Sequence, residues 1–214
     1  MTPKTLTLPI LPLPDTAFFP HTLLPLHIFE PRYKSLVHDA LENNSMIGVV
    51  QLKPGWHDNY FEAPPIYKVL GVGTVLESDR LDDGRYDIIL SGLYRTRIIQ
   101  ENEHTTYRTA EVEVIEDIIS PETGHSINDV HDILIKIYQK ISHALPTGMS
   151  LHPDMNLEDV SPGVLVDVMS SLLVDDPYER QSLLSEPDVA RRQQLLRIQI
   201  KKMFNPLPTG DDQD

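Results

Sequence analysis

The spacing of apolar residues changes once along the chain, near Pro121, and that change limits the fold more than any other feature. Upstream, apolar positions recur mostly every second residue, the period of a strand with one buried face. Downstream they recur every third or fourth, the period of a helix. The 214 residues are therefore read as two consecutive parts, 1–120 and 121–208, followed by a frayed acidic tail at 209–214.

In the first part, Leu6, Leu8 and Ile10 alternate with Thr7 and Pro9 as a short strand. Pro9, Pro12 and Pro14 confine it to a sheet edge or an extended passage, because proline lacks the ladder donor. Phe18-Phe19-Pro20 and Leu23 to Phe29 read as further extended pieces. Pro31 opens a helix with Tyr33, Leu36, Val37, Ala40 and Leu41 on one face. Met46 to Leu52 is an apolar strand, and Pro54 to Pro65 a long loop. Tyr67 to Leu76 follows, with Gly71 and Gly73 easing a tight coil at a barrel corner. Asp82-Asp83-Gly84 is a hairpin turn with Gly84 at positive φ. Tyr86, Ile88 and Leu90 share one face of the next strand, a break follows at Ser91-Gly92, and two more strands run over Tyr94 to Ile99 and Ala110 to Val114. Five to seven short strands with one helix predict a small mixed β-barrel rather than a doubly wound sheet.

The second part is helical throughout. Ile127, Val130, Leu134, Ile137, Ile141 and Leu145 form one stripe, stopped by Pro146 and Gly148. Ser161-Pro162 reads as cap and first-turn proline of a second helix carrying Leu165, Met169, Leu172 and Leu173. A short helix begins near Pro177, and a last one follows Ser185-Glu186-Pro187-Asp188 with Val189, Leu196, Ile200 and Met203 on one face. Four such helices form an all-helical bundle beside the barrel, so the fold class is α+β.

Charge and composition exclude several functions. The chain has 32 acidic residues against 18 lysines and arginines, a net charge of −14. Residues 1–120 hold 17 acids and 10 bases and residues 121–214 hold 15 and 8, so each part carries −7. An even acidic coat of this kind argues against a phosphate track and makes nucleic acid an unlikely partner. The absence of cysteine removes disulfides, thiolate nucleophiles and cysteine-built metal sites. No apolar run approaches the roughly 18–20 residues of a membrane span, and the proline-rich first fifteen residues hold no signal-peptide core. A cytoplasmic protein without membrane contact is expected.

Chemistry-bearing motifs are scarce. The densest ligand-type group, His125, Asp129, His131 and Asp132, reads as solvated or capping side chains, and His57-Asp58 are neighbours without an orienting geometry. Gly71-Val72-Gly73 lacks the third glycine of a dinucleotide fingerprint, and neither a P-loop nor a GxSxG elbow occurs. Lys34 and Ser35 point to different helix faces. Asp82-Asp83 and Asp175-Asp176 suit a turn and a helix start. Arg95 and Arg97 are expected to pair across strands with Glu111 and Glu113. No catalytic residue, cofactor or metal site is assigned. The better lead is the aromatic loop: Trp56, Tyr60 and Phe61, set among Pro54, Pro64 and Pro65, are candidate peptide-binding residues. The same rings also suit a loop folded back over the barrel end.

Two segments, Leu11-Pro12-Leu13-Pro14-Asp15-Thr16-Ala17-Phe18-Phe19-Pro20 and Leu24-Pro25-Leu26-His27-Ile28-Phe29-Glu30-Pro31-Arg32-Tyr33, resemble the opening of the Lon protease N-terminal substrate-binding domain. Gly71-x-Gly73-Thr74, Asp83-Gly84-Arg85-Tyr86, Gly92-Leu93-Tyr94-Arg95 and Glu179-x-Gln181-x-Leu183-Leu184 agree with it, from about Thr5 to Phe204. The resemblance implies a PUA-like pseudo-barrel followed by a helical bundle. In full Lon proteases this region helps recognise unfolded or tagged substrates and supports hexamer assembly, with ATPase and Ser-Lys protease modules after it. At 214 residues this chain is expected to carry neither, and so to act as a non-catalytic binder of unfolded or extended protein segments, alone or with a protease or chaperone system. An assembly or regulatory module, an enzyme of another class and an RNA-binding PUA-like protein are the alternatives, and the oligomeric state is open. Phe29, Glu30, Pro31, Arg32 and Tyr33 form the structural signature, with Glu30 beside the helix donors and Arg32 in need of a carboxylate or carbonyl partner. His21 stands where relatives commonly have glycine.

Overall fold

A computed structural model of the chain describes residues 4–102, 106–120, 127–142 and 157–204. Six strands come first: β1 (Thr5–Leu13), β2 (Leu23–Ile28), β3 (Ile47–Gln51), β4 (Val69–Arg80), β5 (Tyr86–Asn102) and β6 (Thr109–Val114), with helix α1 (Pro31–Glu42) between β2 and β3. Four helices follow: α2 (Ile127–Ser142), α3 (Pro162–Leu173), α4 (Pro177–Ser185) and α5 (Val189–Phe204).

The strand order is β2-β5-β4-β3-β1-β6, and β6 also pairs with β5. Five strands thus close a ring, and β2 lies outside it. The β1–β3 pair is parallel and the other pairings are antiparallel. β5 serves both structures: Tyr86–Ser91 is held by β2, and Thr96–Asn102 by β6.

Several expectations change here. β1 is not an edge strand. β6 pairs with its residues Thr5–Pro9 and β3 with Ile10–Leu13, so Pro9 and Pro12 each face only one ladder and are tolerated inside the sheet. The break at Ser91-Gly92 is a bulge within one 17-residue strand: Gly92 pairs with Gly73 and Tyr94 with Val72, leaving Leu93 extra. The 54–65 loop contains a 3-10 turn at Trp56–Asn59. Gly84 takes the expected positive φ, 78°.

Phe18-Phe19-Pro20 is not a strand but a crossing between two cores. Phe18 is buried with Leu36, Val37, Ile88 and Leu90 under α1, whereas Phe19 is buried with Leu165, Met169 and Leu184 of the bundle. The crossing backbone presses against the sheet, where a Cβ on Gly71 would lie 1.8 Å from the Phe18 carbonyl oxygen and one on Gly92 would lie 2.2 Å from that of Phe19. Gly71 and Gly92 make room for the crossing, while Gly73 lies at a register shift of β4 against β5, where a Cβ would lie 2.2 Å from the Ser91 carbonyl oxygen. His21 follows at φ 60°, in the left-handed region glycine enters without a Cβ penalty.

The bundle is built as its sequence signals suggest. Ser161 Oγ accepts from Val164 N, and Asp176 Oδ1 accepts from Tyr178 N and Glu179 N, each cap followed by proline. Asp188 Oδ1 accepts from Ala190 N and Arg191 N at the start of α5. Val130, Leu134, Leu165, Met169, Leu183, Leu184, Val189 and Leu196 are all buried in one cluster. Pro121, Leu145, Pro146, Gly148 and the 209–214 tail lie outside the described residues, as do His104, His125, His143 and His152. Among the described residues, no helix is long and apolar enough to cross a membrane.

Candidate functional site

The aromatic loop is anchored at its base. Leu52 and Ile66 form an antiparallel bridge, and Lys53 N donates to Pro65 O at 2.9 Å. Gly55, at φ 86°, turns the chain into the 3-10 turn. Trp56 and Tyr60 pack half-buried against the barrel-end cluster of Leu8, Ile10, Leu52 and Leu70. Phe61 is 87% exposed. The rings are continuous, with centroids 5.4 Å apart for Trp56–Tyr60 and 5.2 Å for Tyr60–Phe61, both edge-on. His57 stacks on Trp56 at 3.7 Å. Two of the loop's rings thus fold back onto the barrel, and the third projects.

Polar contacts lock this loop to α1. The Tyr60 hydroxyl donates to Glu30 Oε1 at 2.5 Å, and Arg32 Nε donates to Glu30 Oε2 at 3.0 Å. The Arg32 guanidinium lies over the rings of Tyr33 and Tyr60, 4.5 and 4.9 Å from their centroids. Arg32 thus has the carboxylate partner it requires. Glu30 sits at the helix start as expected: its backbone carbonyl accepts from Tyr33 N and Lys34 N, while its carboxylate makes no capping bond and is engaged by Arg32 and Tyr60. Burial first, and then the Glu30 carboxylate, push the Tyr60 phenol above its ordinary value. Burial lowers the Arg32 guanidinium's affinity for its proton, but Tyr33, Glu30 and Tyr60 outweigh it and raise the net value.

A cavity of about 240 Å³ opens between α1, the loop and the approach to β6, walled by Pro12, Arg32, Tyr33, Phe61, Glu62 and Tyr107. The buried Tyr33 hydroxyl donates to Pro12 O, and the Tyr107 hydroxyl donates to Asp39 Oδ2 at 2.7 Å. Burial, followed by that carboxylate, pushes the Tyr107 phenol up to about 12. Arg108, at the same cavity, donates to Pro64 O at 2.9 Å and is paired with Glu101. Both arginines here already hold a carboxylate, so the cavity offers flat aromatic walls more than free charge.

A second constellation sits where barrel and bundle meet. Arg95 does not pair with Glu111 or Glu113, although Arg97 does stand opposite Glu113. Arg95 faces the bundle instead, donating to Leu184 O at 2.6 Å, Asp117 Oδ1 at 2.9 Å and Asp167 Oδ1 at 2.8 Å. Arg192 reaches the same acids, with Nη1 and Nη2 each 2.8 Å from an Asp117 oxygen. Gly163 admits the Asp117 carboxylate, since a Cβ there would lie 2.1 Å from Oδ2. Burial pushes the Asp167 carboxyl up and the Arg95 guanidinium down, each against the pull of the opposite charge. A cavity of about 190 Å³ at this junction, lined by His21, Leu93 and Glu116 among others, has Arg95 and Asp167 in its wall.

The remaining candidates are accounted for locally. Asp83 Oδ1 accepts from Arg85 N within the hairpin turn, and His131 Nε2 donates to Leu157 O at 3.2 Å. Among the described residues, no group of three or more histidines and carboxylates is placed to hold a metal ion.

A family profile described as the ATP-dependent protease La (LON) substrate-binding domain matches residues 7–202. The chain belongs to that family. Among curated relatives, it is 32% identical over 189 residues to the Lon protease of Dictyoglomus thermophilum, covering 87% of this chain and 23% of that protein. It is 26% identical over 210 residues to Lon protease 2 of Myxococcus xanthus, covering 95% and 25%. The chain therefore spans about a quarter of the length of these relatives. Two solved structures share the fold. The Lon N-terminal domain protein from Xanthomonas campestris superposes with a TM-score of 0.64 at 23% identity, covering 90% of this chain and 98% of that one. The N-terminal domain of the Mycobacterium avium complex Lon protease gives 0.64 at 17%, covering 94% and 100%. The Lon substrate-binding fold thus accounts for both the ring of strands and the bundle. Its junction residues Asp117, Asp167 and Arg192 escape a reading of the sequence, although Arg192 falls on the same helical stripe as Val189 and Leu196. An arginine on an apolar stripe is the available signal.

Proposed function

We propose that this chain is a non-catalytic recognition module that binds unfolded or extended segments of client proteins through Trp56, Tyr60 and Phe61. The observation that carries this reading is the exposed Phe61 ring at the rim of an aromatic cavity, held by a loop that Glu30, Arg32 and Tyr60 lock in place. An exposed ring on a fixed support binds with little ordering cost, whereas the same ring on a free loop loses entropy on contact. Membership of the Lon substrate-binding family supports protein clients as the ligand class. In this reading the clients belong to a cytoplasmic protease or chaperone system, residues 1–120 supply the contact surface, and residues 121–208 brace it.

Trp56 is the single tryptophan, so its emission reports directly on the site. Titration with a panel of unfolded, reduced client proteins is expected to shift that emission. Phe61→Ala is expected to weaken binding roughly tenfold or more, as loss of an aromatic anchor does, with the melting curve unchanged. A folded, concentrated protein that binds nothing across the panel overturns this reading.

A further inference from the structure

The two aspartates at the junction are not equally supplied with donors. Both oxygens of Asp117 accept from guanidiniums, Oδ1 from Arg95 and Arg192 and Oδ2 from Arg192. On Asp167 both arginines crowd one oxygen. Its Oδ1 accepts from Arg95 Nη2 at 2.8 Å and lies 3.2 Å from Arg192 Nε, whereas its Oδ2 accepts no hydrogen bond among the described residues. The Asp167 side chain keeps 3% of its surface in solvent, so a carboxylate oxygen without a donor is costly there. Burial pushes this carboxyl up even with two guanidiniums beside it, which agrees with a carboxylate short of donors.

Asp167 is also part of the wall of the junction cavity of about 190 Å³, with α3 on one side and β5 and the chain after β6 on the other. The lining carries three carboxylates, Glu116, Asp117 and Asp167, against one cation, Arg95. Arg192, behind the wall, adds a second through its pairs with both aspartates. Lys4 lies close by over the Tyr94 ring but outside the lining. The site is therefore one positive charge short. Among the described residues these side chains form no metal site, so the missing charge is that of an organic cation. Pro20, Leu93 and Ile115 give the cavity apolar surface beside its carboxylates. Its volume falls below the roughly 300–1,000 Å³ of drug-sized pockets, which restricts the ligand to a few non-hydrogen atoms.

We propose that the junction cavity binds a primary alkylammonium group. The ammonium donates to Asp167 Oδ2 and supplies the missing positive charge, and its methylenes lie against Leu93 and Ile115. An alkyl carboxylate would add a fourth negative charge, and a neutral amide would bring a donor without the charge. Because Asp167 belongs to α3 and Leu93 to β5, the ligand ties the bundle to the barrel and stabilises the folded chain that holds it. The group is the same on a free amine and on a lysine side chain. The site shares no lining residue with the aromatic cavity and does not rest on the function proposed for it.

The test is titration calorimetry at fixed ionic strength with butylamine, Nα-acetyl-lysine amide, butyramide and butyrate, followed by a melting curve with each. The amines are expected to bind and to raise the melting temperature, and butyramide and butyrate to do neither. Butylamine alone marks a free amine as the ligand, and binding of the lysine derivative marks a lysine side chain. Asp167→Asn disturbs the junction itself, so two exposed lining positions carry the test, with the fold checked by circular dichroism. Leu93→Trp narrows the mouth and is expected to weaken binding about tenfold or more, and Glu116→Gln about threefold. Failure of both amines to bind, equal binding of butyramide or butyrate, or full affinity in Leu93→Trp overturns the proposal. The last result is what a loose counter-ion of an acidic chain would give.

Discussion

Two of the molecule's arginine–carboxylate groupings, one at the barrel end and one at the junction, differ in their access to water, and water separates their consequences. At the barrel end, Arg32 and Glu30 keep 24% and 15% of their side chains in solvent and share a sandwich with Tyr33 and Tyr60. At the junction, Arg95 and Asp167 keep 2% and 3%, and Arg192 is fully enclosed. When a partner is removed at the barrel end, water can solvate what is left. When one is removed at the junction, a charge stays in a medium that cannot. The same chemistry is a local fastening in one region and a condition of folding in the other.

The contrast is sharpest for Arg95→Ala. Breaking a buried pair is expected to lower the unfolding free energy by about 3–5 kcal/mol in urea denaturation. A loss below about 1 kcal/mol would mean that Arg192 alone balances Asp167 and would erase the distinction. Arg32→Ala comes next, with a loss of about 1–2 kcal/mol from one charge-assisted bond and its ring contacts. Unchanged stability would remove Arg32 from the structural signature and leave it only a role in binding. The smallest effect belongs to Tyr107→Phe. Folding raises this phenol from the ordinary 10 to about 12, so its contribution is fully present below pH 10 and is lost as pH rises through about 12. Ultraviolet titration of the variant should lack one late-ionising tyrosine, and loss of the bond to Asp39 should cost about 0.5–1 kcal/mol at neutral pH.

Much of the fold was legible because local signals and tertiary packing agreed. Pro31, Ser161-Pro162, Asp176-Pro177 and Asp188 mark helix starts by chemistry that acts within a few residues. The strands of the barrel follow the period of two. The misreadings arose where a residue's environment is set by distant chain. Arg95 lies outside the barrel, as its alternation indicates, but that outer face is covered by α3 and α4 rather than by water. Gly71 and Gly92 announce a close approach without naming Phe18 and Phe19 as what approaches. At the barrel end, the aromatic cluster was visible as composition, but the division between supporting and projecting rings depended on the contact of Tyr60 with Glu30, which lie 30 residues apart.

The step from Phe18 to Phe19 has a mechanical consequence. Adjacent side chains on one stretch of backbone are gripped by opposite halves of the molecule, with the carbonyls of the crossing set against Gly71 and Gly92 of the sheet. Load applied to α5 is therefore passed to the strands over the length of a single peptide unit, with no slack segment to absorb it.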